Sequence, residues 1–342
     1  MNIFLIGMGN MGIKHLDSIF KLKKKYNLNF VGFYDPKINK INYGKKIFFS
    51  EKKLTKTFIT NLKIDLCIIS TPHNHVKKYF KKFVNTPKST NLFIEKPFGL
   101  NLKEANFIYK NKKKNQKIFL GLNYRYYKGI SRMHSDFKNG FFGKVSSISL
   151  SMHHGHSPSI INSWKIKKKM AGGGVIIDPG IHLINLASLF FGKNIKILNT
   201  YVVKNFFWKT GIEEEASILM RTEKIPLIKI NLSIVRWRSQ FSIEINGLKN
   251  YGKLIGRGSH YGPQIYSRGE RWAWIKTKHK NQARTEKIIV KSDEKKSFLD
   301  EMEAVVRNLK NKKNKIEPCE SLEALNTMTL VDKIYKCTQR KS

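Results

Sequence analysis

The sequence feature that most constrains the fold is a glycine-rich turn near the start of the chain, Gly7-Met8-Gly9-Asn10-Met11-Gly12. An apolar segment, residues 2–6, precedes it and predicts a buried strand, and residues 13–25 follow with apolar positions at helical spacing. A strand, a G-x-G-x-x-G turn and a helix form the phosphate-binding unit of dinucleotide folds. We therefore predict a pyrophosphate site formed by Gly7, Gly9, Asn10, Met11 and Gly12. The alternative is a turn that binds no ligand.

A second apolar segment, residues 30–35, ends in an acid. Asp35 follows Gly12 by 23 residues, close to the roughly 20 expected for the carboxylate that accepts from ribose hydroxyls. A carboxylate there repels a 2′-phosphate, so the sequence favours NAD as cofactor. NADP stays open because Lys37 partly neutralises the site. The alternative role for Asp35 is to form a turn before Pro36.

The first third of the chain alternates predicted strands and helices. The strands cover residues 46–49, 65–70, 91–94 and 118–121, and the helices cover residues 51–62, 75–84 and 102–114. This alternation predicts a Rossmann-type, doubly wound parallel sheet over residues 1–122, with ligands beyond the carboxyl ends of its strands. Thr71-Pro72 and Glu95-Lys96-Pro97 are predicted to lie at those ends.

From residue 123 the pattern changes to longer strands with alternating apolar positions. They cover residues 145–152, 195–203, 216–221, 225–237 and 241–245. We predict an α+β domain over residues 123–319, built on a large, mostly antiparallel open sheet. An open sheet face suits a homodimer or homotetramer. The last predicted helix, residues 320–338, is a candidate to pack back on the first domain.

The net charge of +41 raises the possibility of a polyanionic partner. Only 11 of the 65 basic residues are arginine, the residue best suited to bidentate phosphate and base contacts. The lysines are spread along the chain, which is also rich in other residues with A/T-rich codons. We therefore attribute the charge to compositional drift and expect no specific nucleic-acid partner. A nucleic-acid-associated basic protein is the alternative.

Composition also bears on the compartment. No run of about 18 apolar residues exists, and the first segment lacks the basic start of a signal peptide, so we expect no membrane insertion. The three cysteines, Cys67, Cys319 and Cys337, show no C-x-x-C spacing. An odd count without a disulfide framework fits a reducing cytoplasm.

The second half contains one further informative segment, in which Gly172-Gly173-Gly174 leads to Asp178 and His182. Residues four apart share a face of a helix, and an aspartate followed by a proline suits a helix start at residue 178. A histidine titrates near neutral pH and can act as a general acid or base. The alternative is that Asp178 only caps the helix and His182 only lies on its surface.

Together these motifs resemble the glucose–fructose oxidoreductase/inositol dehydrogenase (Gfo/Idh/MocA) family of nicotinamide-dependent dehydrogenases. The resemblance covers nearly the whole chain and rests on the glycine turn, the 65–72 strand end, Glu95-Lys96-Pro97, Asn123-Tyr124-Arg125 and residues 172–182. It implies an NAD(P)-dependent oxidoreductase of CH–OH groups. Its substrate would be a sugar, a nucleotide sugar or a cyclitol, with surface-polysaccharide precursor metabolism as a candidate setting.

The resemblance also implies roles for particular residues. Lys96 would lie between the nicotinamide ribose and the substrate hydroxyl, with the Lys96–Pro97 bond in cis. His182 would be the general acid and base, and Asp178 would orient it. Further cofactor contacts are expected from Thr71, Pro72, His75, Glu95 and Asn123. Further substrate contacts are expected from Tyr124, Arg125, His154, Trp164 and Asn185.

Two features depart from a simple assignment. The family often has an acid where this chain has Asn185, and this keeps open a catalytically inactive NAD-binding sensor or scaffold of the same fold. The tract His153-His154-Gly155-His156 resembles a metal site, but no nearby cysteine or carboxylate completes it. We expect a loop at the active site there, and no metal.

Overall fold

The computed structural model describes residues 1–87, 89–270 and 286–339, and the chain divides into two compact units. The first unit comprises Met1–Asn123 and Ser297–Met328. The second comprises Tyr124–Lys296 and the residues from Thr329 onward. Residues 297–319 therefore group with the first unit, whereas the sequence-based division placed them in the second domain.

The main sheet of the first unit is parallel, as predicted. Its strands and those of a small separate sheet are β1 (Asn2–Ile6), β2 (Asn29–Tyr34), β3 (Lys40–Tyr43), β4 (Lys46–Phe49), β5 (Leu66–Ile69), β6 (Asn91–Glu95) and β7 (Ile118–Gly121). Within the described residues the main sheet runs β7-β6-β5-β1-β2 in parallel pairs, and Cys319–Glu320 adds antiparallel to β7. The helices are α1 (Asn10–Tyr26), α2 (Lys56–Asn61), α3 (Val76–Val84) and α4 (Leu102–Asn111). This confirms the Rossmann-type fold.

The prediction that residues 46–49 belong to the parallel sheet is wrong. They form β4, which pairs antiparallel with β3 in a separate two-stranded sheet. Gly44, with φ of 59°, allows the tight turn between the two strands. Ile47 and Phe49 are 59% and 68% exposed, whereas a central strand of a parallel sheet is buried on both faces.

The helix Ser297–Leu309 explains why the chain returns to the first unit. Its apolar side chains Met302, Val305 and Val306 are buried in one hydrophobic cluster with residues of β1 and α1, including Ile3 and Leu16. Burying each such side chain contributes about 1.5–3 kcal/mol. A sequence separation of nearly 300 residues hides this contact from any local pattern.

The second unit is built on a large open sheet, as predicted. Its strands are β8 (Val145–Gly155), β9 (Lys196–Lys204), β10 (Glu213–Arg221), β11 (Leu227–Ser233), β12 (Val235–Gly247), β13 (Asn250–Ile255), β14 (Gln264–Glu270) and β15 (Lys287–Ser292). Among the described residues their order is β15-β14-β13-β12-β8-β11-β10-β9, and only β8 and β11 pair in parallel. The single strand predicted over residues 225–237 is two strands, which break at Ile234. The helices are α5 (Lys128–Lys138), α6 (Lys168–Ala171) and α7 (Ile181–Phe191).

The last helix is Ser321–Gln339, close to the predicted 320–338. Its residues through Met328 belong to the first unit and those from Thr329 to the second. In the parts of the chain that the structure describes, no helix combines the length and apolar character that a membrane span requires.

Candidate active site

The glycine turn adopts the conformation that its sequence predicts. Gly7 has φ of 89°, and a Cβ there would overlap the carbonyl oxygen of Ser70. A Cβ on Gly12 would overlap the carbonyl oxygen of Gly7. Packing therefore requires both glycines. Gly9, the N-cap of α1, is different, since a Cβ there would meet no heavy atom within 4 Å. The chain itself gives no packing reason for this glycine, and the space suits the approach of a pyrophosphate to the backbone.

Asp35 follows β2 and connects it to the glycine turn. Its Oδ2 accepts a hydrogen bond from the Met8 N–H at 2.8 Å. Its Oδ1 accepts from the N–H groups of Lys37 and Ile38 at 2.8 and 3.0 Å. Asp35 thus forms the turn that its alternative reading predicted. Because a carboxylate oxygen accepts more than one hydrogen bond, this does not prevent a contact with ribose hydroxyls.

The predicted cofactor residues after β5 and β6 lie at the same edge of the sheet as the glycine turn, because β1, β5 and β6 are parallel neighbours. Thr71 and Pro72 follow β5 and are partly exposed. His75 ends the short turn that leads into α3, and burial, then the charge of Lys78, lowers its pKa. Lys96 directly follows β6, is half-buried, and precedes Pro97 through a cis bond, as the resemblance implied.

Glu95 has a partner that the sequence did not reveal. Its Oε1 lies 2.6 Å from Nε2 of His15, which is fully buried in α1. The His15 ring packs edge-on against Phe93 and Phe298. The pair ties α1 to the end of β6, the strand that Lys96 follows. Asn123, the remaining predicted cofactor residue, is buried and donates from Nδ2 to Ser297 Oγ at 2.8 Å.

In the second unit, α7 begins at Ile181, later than the predicted start at residue 178. Asp178 and Pro179 belong instead to a tight turn, in which the Asp178 N–H donates to the Gly174 carbonyl and the Gly180 N–H to the Val175 carbonyl. Glu213 holds this turn in place, because its Oε2 accepts from the Gly174 N–H at 2.7 Å and its carbonyl accepts from the Val175 N–H at 2.8 Å. Asp178 therefore precedes the helix, and His182 lies in its first turn.

The imidazole of His182 stacks on the ring of Tyr124. The ring centroids are 3.9 Å apart and the planes differ by 6°. Both side chains are buried, and the Tyr124 hydroxyl contacts Met152 Sδ at 3.4 Å. Burial raises the pKa of the Tyr124 hydroxyl, so this side chain is uncharged at physiological pH. The stack fixes the plane of the imidazole, which a general acid or base requires.

Asp178 lies in a group of polar side chains. Lys165 Nζ is 3.2 Å from Asp178 Oδ2, and Trp164, the residue before Lys165, is partly exposed. The negative charge of Asp178 favours protonation of His154 and His156, but burial dominates and lowers both pKa values, that of His154 to about 4. These histidines are therefore neutral near pH 7.

Arg125 and Asn185 are brought together in the interior of the second unit. Arg125 Nη2 donates to Asn185 Oδ1 at 2.7 Å, and the two side chains are 2% and 1% exposed. The bond joins two residues that the sequence predicted to contact the substrate. An acid at position 185 would form an ion pair with Arg125, whereas asparagine forms a hydrogen bond to the cation.

Two residues that the sequence did not single out, Arg257 and Tyr261, adjoin these side chains. The Arg257 guanidinium lies over the rings of Tyr261 and Tyr124, and the Tyr261 hydroxyl is 3.0 Å from His154 Nδ1. The only sequence signal at Arg257 is a rare arginine between Gly256 and Gly258.

The loop predicted at the histidine tract is wrong for most of the tract, because His153 and His154 lie at the end of β8 and only His156 follows the strand. The rings of His154 and His156 meet edge to face, 4.7 Å apart. Within residues 1–87, 89–270 and 286–339, no three histidine, cysteine or acidic side chains are grouped so that they could hold a metal ion.

Part of the positive charge is concentrated in a groove of the first unit. Its volume is about 670 Å³ and its lining residues are Lys56, Asn74, Lys77, Lys78, Lys81, Lys82, Asn85 and Glu104. The ammonium groups of Lys77 and Lys81 lie over the ring of Phe107. Lysine stems commonly cover apolar surface while their charged ends remain in water, and the groove is consistent with a solvated face.

The stability of the second unit should depend on the titration of His134. Burial, then the charges of Lys138 and Arg125, lowers its pKa from 6.5 to about 4. The imidazole of His134 is therefore protonated near pH 6.5 in the unfolded chain, but only near pH 4 in the folded chain. The contribution of neutral His134 to the free energy of unfolding is complete above pH 6.5 and is lost as the pH falls from 6.5 to about 4.

We expect the thermal midpoint of His134→Gln to fall less between pH 6.5 and 4 than that of the wild type. Parallel pH profiles would contradict the assignment.

Comparisons with solved structures show the fold. The chain superposes over its full length on a putative NADPH-dependent oxidoreductase from Desulfitobacterium hafniense, with a TM-score of 0.80, 15% identity and 96% of that chain covered. The WlbA dehydrogenase from Bordetella pertussis, in complex with NADH and UDP-GlcNAcA, gives a TM-score of 0.77 at 14% identity, with 100% of this chain and 97% of that chain covered. A putative myo-inositol dehydrogenase from Sinorhizobium meliloti gives 0.74 at 16% identity, with 100% and 98% covered.

Family models identify the sequence more directly. No curated protein matches it. Residues 1–124 match the model of the oxidoreductase family with an NAD-binding Rossmann fold. Residues 130–251 match the model of the GFO/IDH/MocA C-terminal domain. With both of its parts matched, the chain belongs to the GFO/IDH/MocA family of oxidoreductases.

Proposed function

We propose that this protein is an NAD(P)-dependent dehydrogenase or reductase that oxidises a hydroxyl or reduces a keto group on a sugar, nucleotide sugar or cyclitol. The observation that carries the proposal is the position of Lys96, which follows β6 at the sheet edge where the glycine turn follows β1. A cation beside a dinucleotide site can stabilise the negative charge that develops on a substrate oxygen. We propose NAD as the preferred cofactor because Asp35 lies after β2.

The residues of the first unit fit a dinucleotide. Backbone N–H groups at the start of α1, beside Gly9, would hold the pyrophosphate, and Asp35 would accept hydrogen bonds from a ribose. When bound, the nicotinamide supplies the acceptor or donor of a hydride. His75 and Thr71 would line the same site.

The residues of the second unit supply proton transfer. In the oxidation direction His182 takes the proton from the substrate hydroxyl, and in reduction it returns the proton. The stack with Tyr124 keeps the imidazole in one plane. Asp178 stabilises the imidazolium that forms, and Lys96 stabilises the substrate alkoxide. Hydroxyl, hydride and base must be aligned for this reaction.

The proposal can be tested with purified protein, NAD and NADP, and a panel of sugars, nucleotide sugars and inositols. We expect substrate-dependent formation of reduced cofactor, followed by its absorbance, with at least one member of the panel. NAD binding without turnover across the panel would instead favour the sensor or scaffold of the same fold, for which the Arg125–Asn185 pair is the specific support.

Two further properties belong to the proposal. We propose a homodimer or homotetramer, because the edge strand β9 of the large sheet carries the exposed apolar side chains Tyr201 and Val203. We also propose a cytoplasmic location, because the free thiols of Cys67, Cys319 and Cys337 fit a reducing compartment. Surface-polysaccharide precursor metabolism is the proposed setting.

Sedimentation velocity would test the proposed homodimer or homotetramer, and a monomer at micromolar concentration would contradict it.

A further inference from the structure

Aromatic rings hold the side chain of Arg257 in place within the second unit. It follows β13, and its Cζ lies 3.9 Å from the ring centroid of Tyr261 and 5.0 Å from that of Tyr124. Its Nη1 donates to the Tyr127 hydroxyl at 3.4 Å. Cation–π contacts of this kind stabilise a guanidinium without using its N–H donors. The side chain is therefore fixed, while its buried Nε–H has no hydrogen-bond partner among the described residues.

No acid neutralises this guanidinium in the described part of the chain. No carboxylate there forms a salt bridge with Arg257, and its buried Nε has no hydrogen-bond acceptor. The neighbouring acid, Asp178, is paired with Lys165. A largely desolvated cation with unused donors is unfavourable unless an acceptor, preferably an anion, completes it. Structural arginines normally meet this need with a carboxylate, so the arrangement points to a ligand.

The polar neighbours of Arg257 favour an anion as that ligand. Burial, with the charge of Arg257 as a further cause, lowers the pKa values of His154 and His260. Both imidazoles are neutral near pH 7 and can donate or accept hydrogen bonds. Since Lys165 offsets Asp178, the positive charge of Arg257 is left in excess. Guanidinium groups bind carboxylates and phosphates through paired hydrogen bonds.

We propose that Arg257 binds an anionic group, a carboxylate or a phosphate, carried by the sugar substrate. The inference rests on the proposed function and narrows its substrate class, a sugar, nucleotide sugar or cyclitol, to members that carry a carboxylate or a phosphate. Tyr124 connects the two sites within the second unit, because its ring contacts both Arg257 and His182. Arg257 and His182 are therefore neighbours of one aromatic ring, and the proposal requires the sugar to extend from one to the other.

The test is equilibrium binding of three sugars, with NADH present so that no net oxidation occurs. D-glucose is neutral, D-glucuronate carries a carboxylate, and D-glucose 6-phosphate carries a phosphate. For the wild type we expect at least one anionic sugar to bind about 10- to 100-fold more tightly than glucose, the effect typical of a hydrogen bond between charged groups. The sugar that shows this advantage identifies the anionic group.

Three variants make the test specific. Arg257→Gln should remove the advantage of the anionic sugar, and Arg257→Lys should retain only part of it because lysine lacks the paired donors. Arg238→Gln, an exposed residue of β12, is the matched control and should bind like the wild type. Thermal unfolding of each variant checks its folding, and Arg257→Lys keeps the test decisive if the glutamine variant unfolds.

Two results would overturn the inference. One is equal affinity of the wild type for all three sugars, including no binding of any of them at millimolar concentration. The other is an anionic advantage that survives in both Arg257 variants. These outcomes are separate from failure of the proposed function, because they are read from binding. A protein that binds glucuronate through Arg257 but never reduces NAD would contradict the enzymatic role alone.

Discussion

Replacing His182 with alanine is expected to lower kcat for sugar oxidation by about 10²- to 10⁴-fold, the usual contribution of a positioned general base. The substrate hydroxyl would then have to lose its proton to water. Binding of NADH should stay within about twofold, because His182 belongs to the second unit and the glycine turn to the first. Steady-state kinetics and NADH fluorescence titration measure the two effects separately.

Tyr124→Phe is the matched control for this variant. It keeps the ring that stacks on His182 and removes only the hydroxyl, whose described contact is Met152 Sδ. We expect kcat to change by only a few fold, because the stack orients the imidazole and the hydroxyl does not act on it. If His182→Ala kept kcat within about tenfold of the wild type, histidine would not be the general base.

Alanine substitutions at Gly9 and Gly12 should distinguish an effect on cofactor binding from an effect on the stability of the fold. Gly9→Ala places a methyl group where no protein atom lies within 4 Å, at an ordinary φ of −68°. Loss of a glycine N-cap costs up to about 1 kcal/mol of unfolding free energy. The methyl group would, however, hold the pyrophosphate away from the backbone. We expect the dissociation constant for NADH to rise by about 10- to 100-fold, as when hydrogen bonds to a charged group are lost.

Gly12→Ala should mainly reduce the free energy of unfolding, whereas Gly9→Ala should mainly weaken NADH binding. Its Cβ would overlap the carbonyl oxygen of Gly7, so α1 must move away from β1. Overpacking of this kind typically costs about 1–3 kcal/mol. Urea unfolding would measure this loss, and the same experiment on Gly9→Ala supplies the comparison. Wild-type NADH affinity in Gly9→Ala would show that the glycine turn does not bind the cofactor.

Local patterns were sufficient to predict the elements that position the first half of the site. The glycine spacing, the apolar strands and the polar residues at their ends are all contiguous in sequence. The predicted helix over residues 13–25 begins earlier in the structure, at Asn10, because its first turn lies inside the glycine turn, where helical periodicity gives no signal.

Long-range pairing limited the rest of the prediction. Residues 46–49 have the composition of a strand in either sheet, and only their partner, β3, decides the outcome. The helix Ser297–Leu309 shows an amphipathic pattern but nothing that indicates which core it joins. Arg257 follows His182 by 75 residues, and no spacing rule links them. The contact through Tyr124 exists only once the second unit is folded.

Under the proposed function, Lys96 and His182 act on the same substrate molecule. A double-mutant cycle of Lys96→Ala and His182→Ala, read by single-turnover formation of NADH, tests it most directly. Groups that act together in one transition state give strongly non-additive losses. We expect the double variant to be about as slow as the slower single variant. Losses that multiply would contradict the claim, as would single variants that retain the wild-type rate.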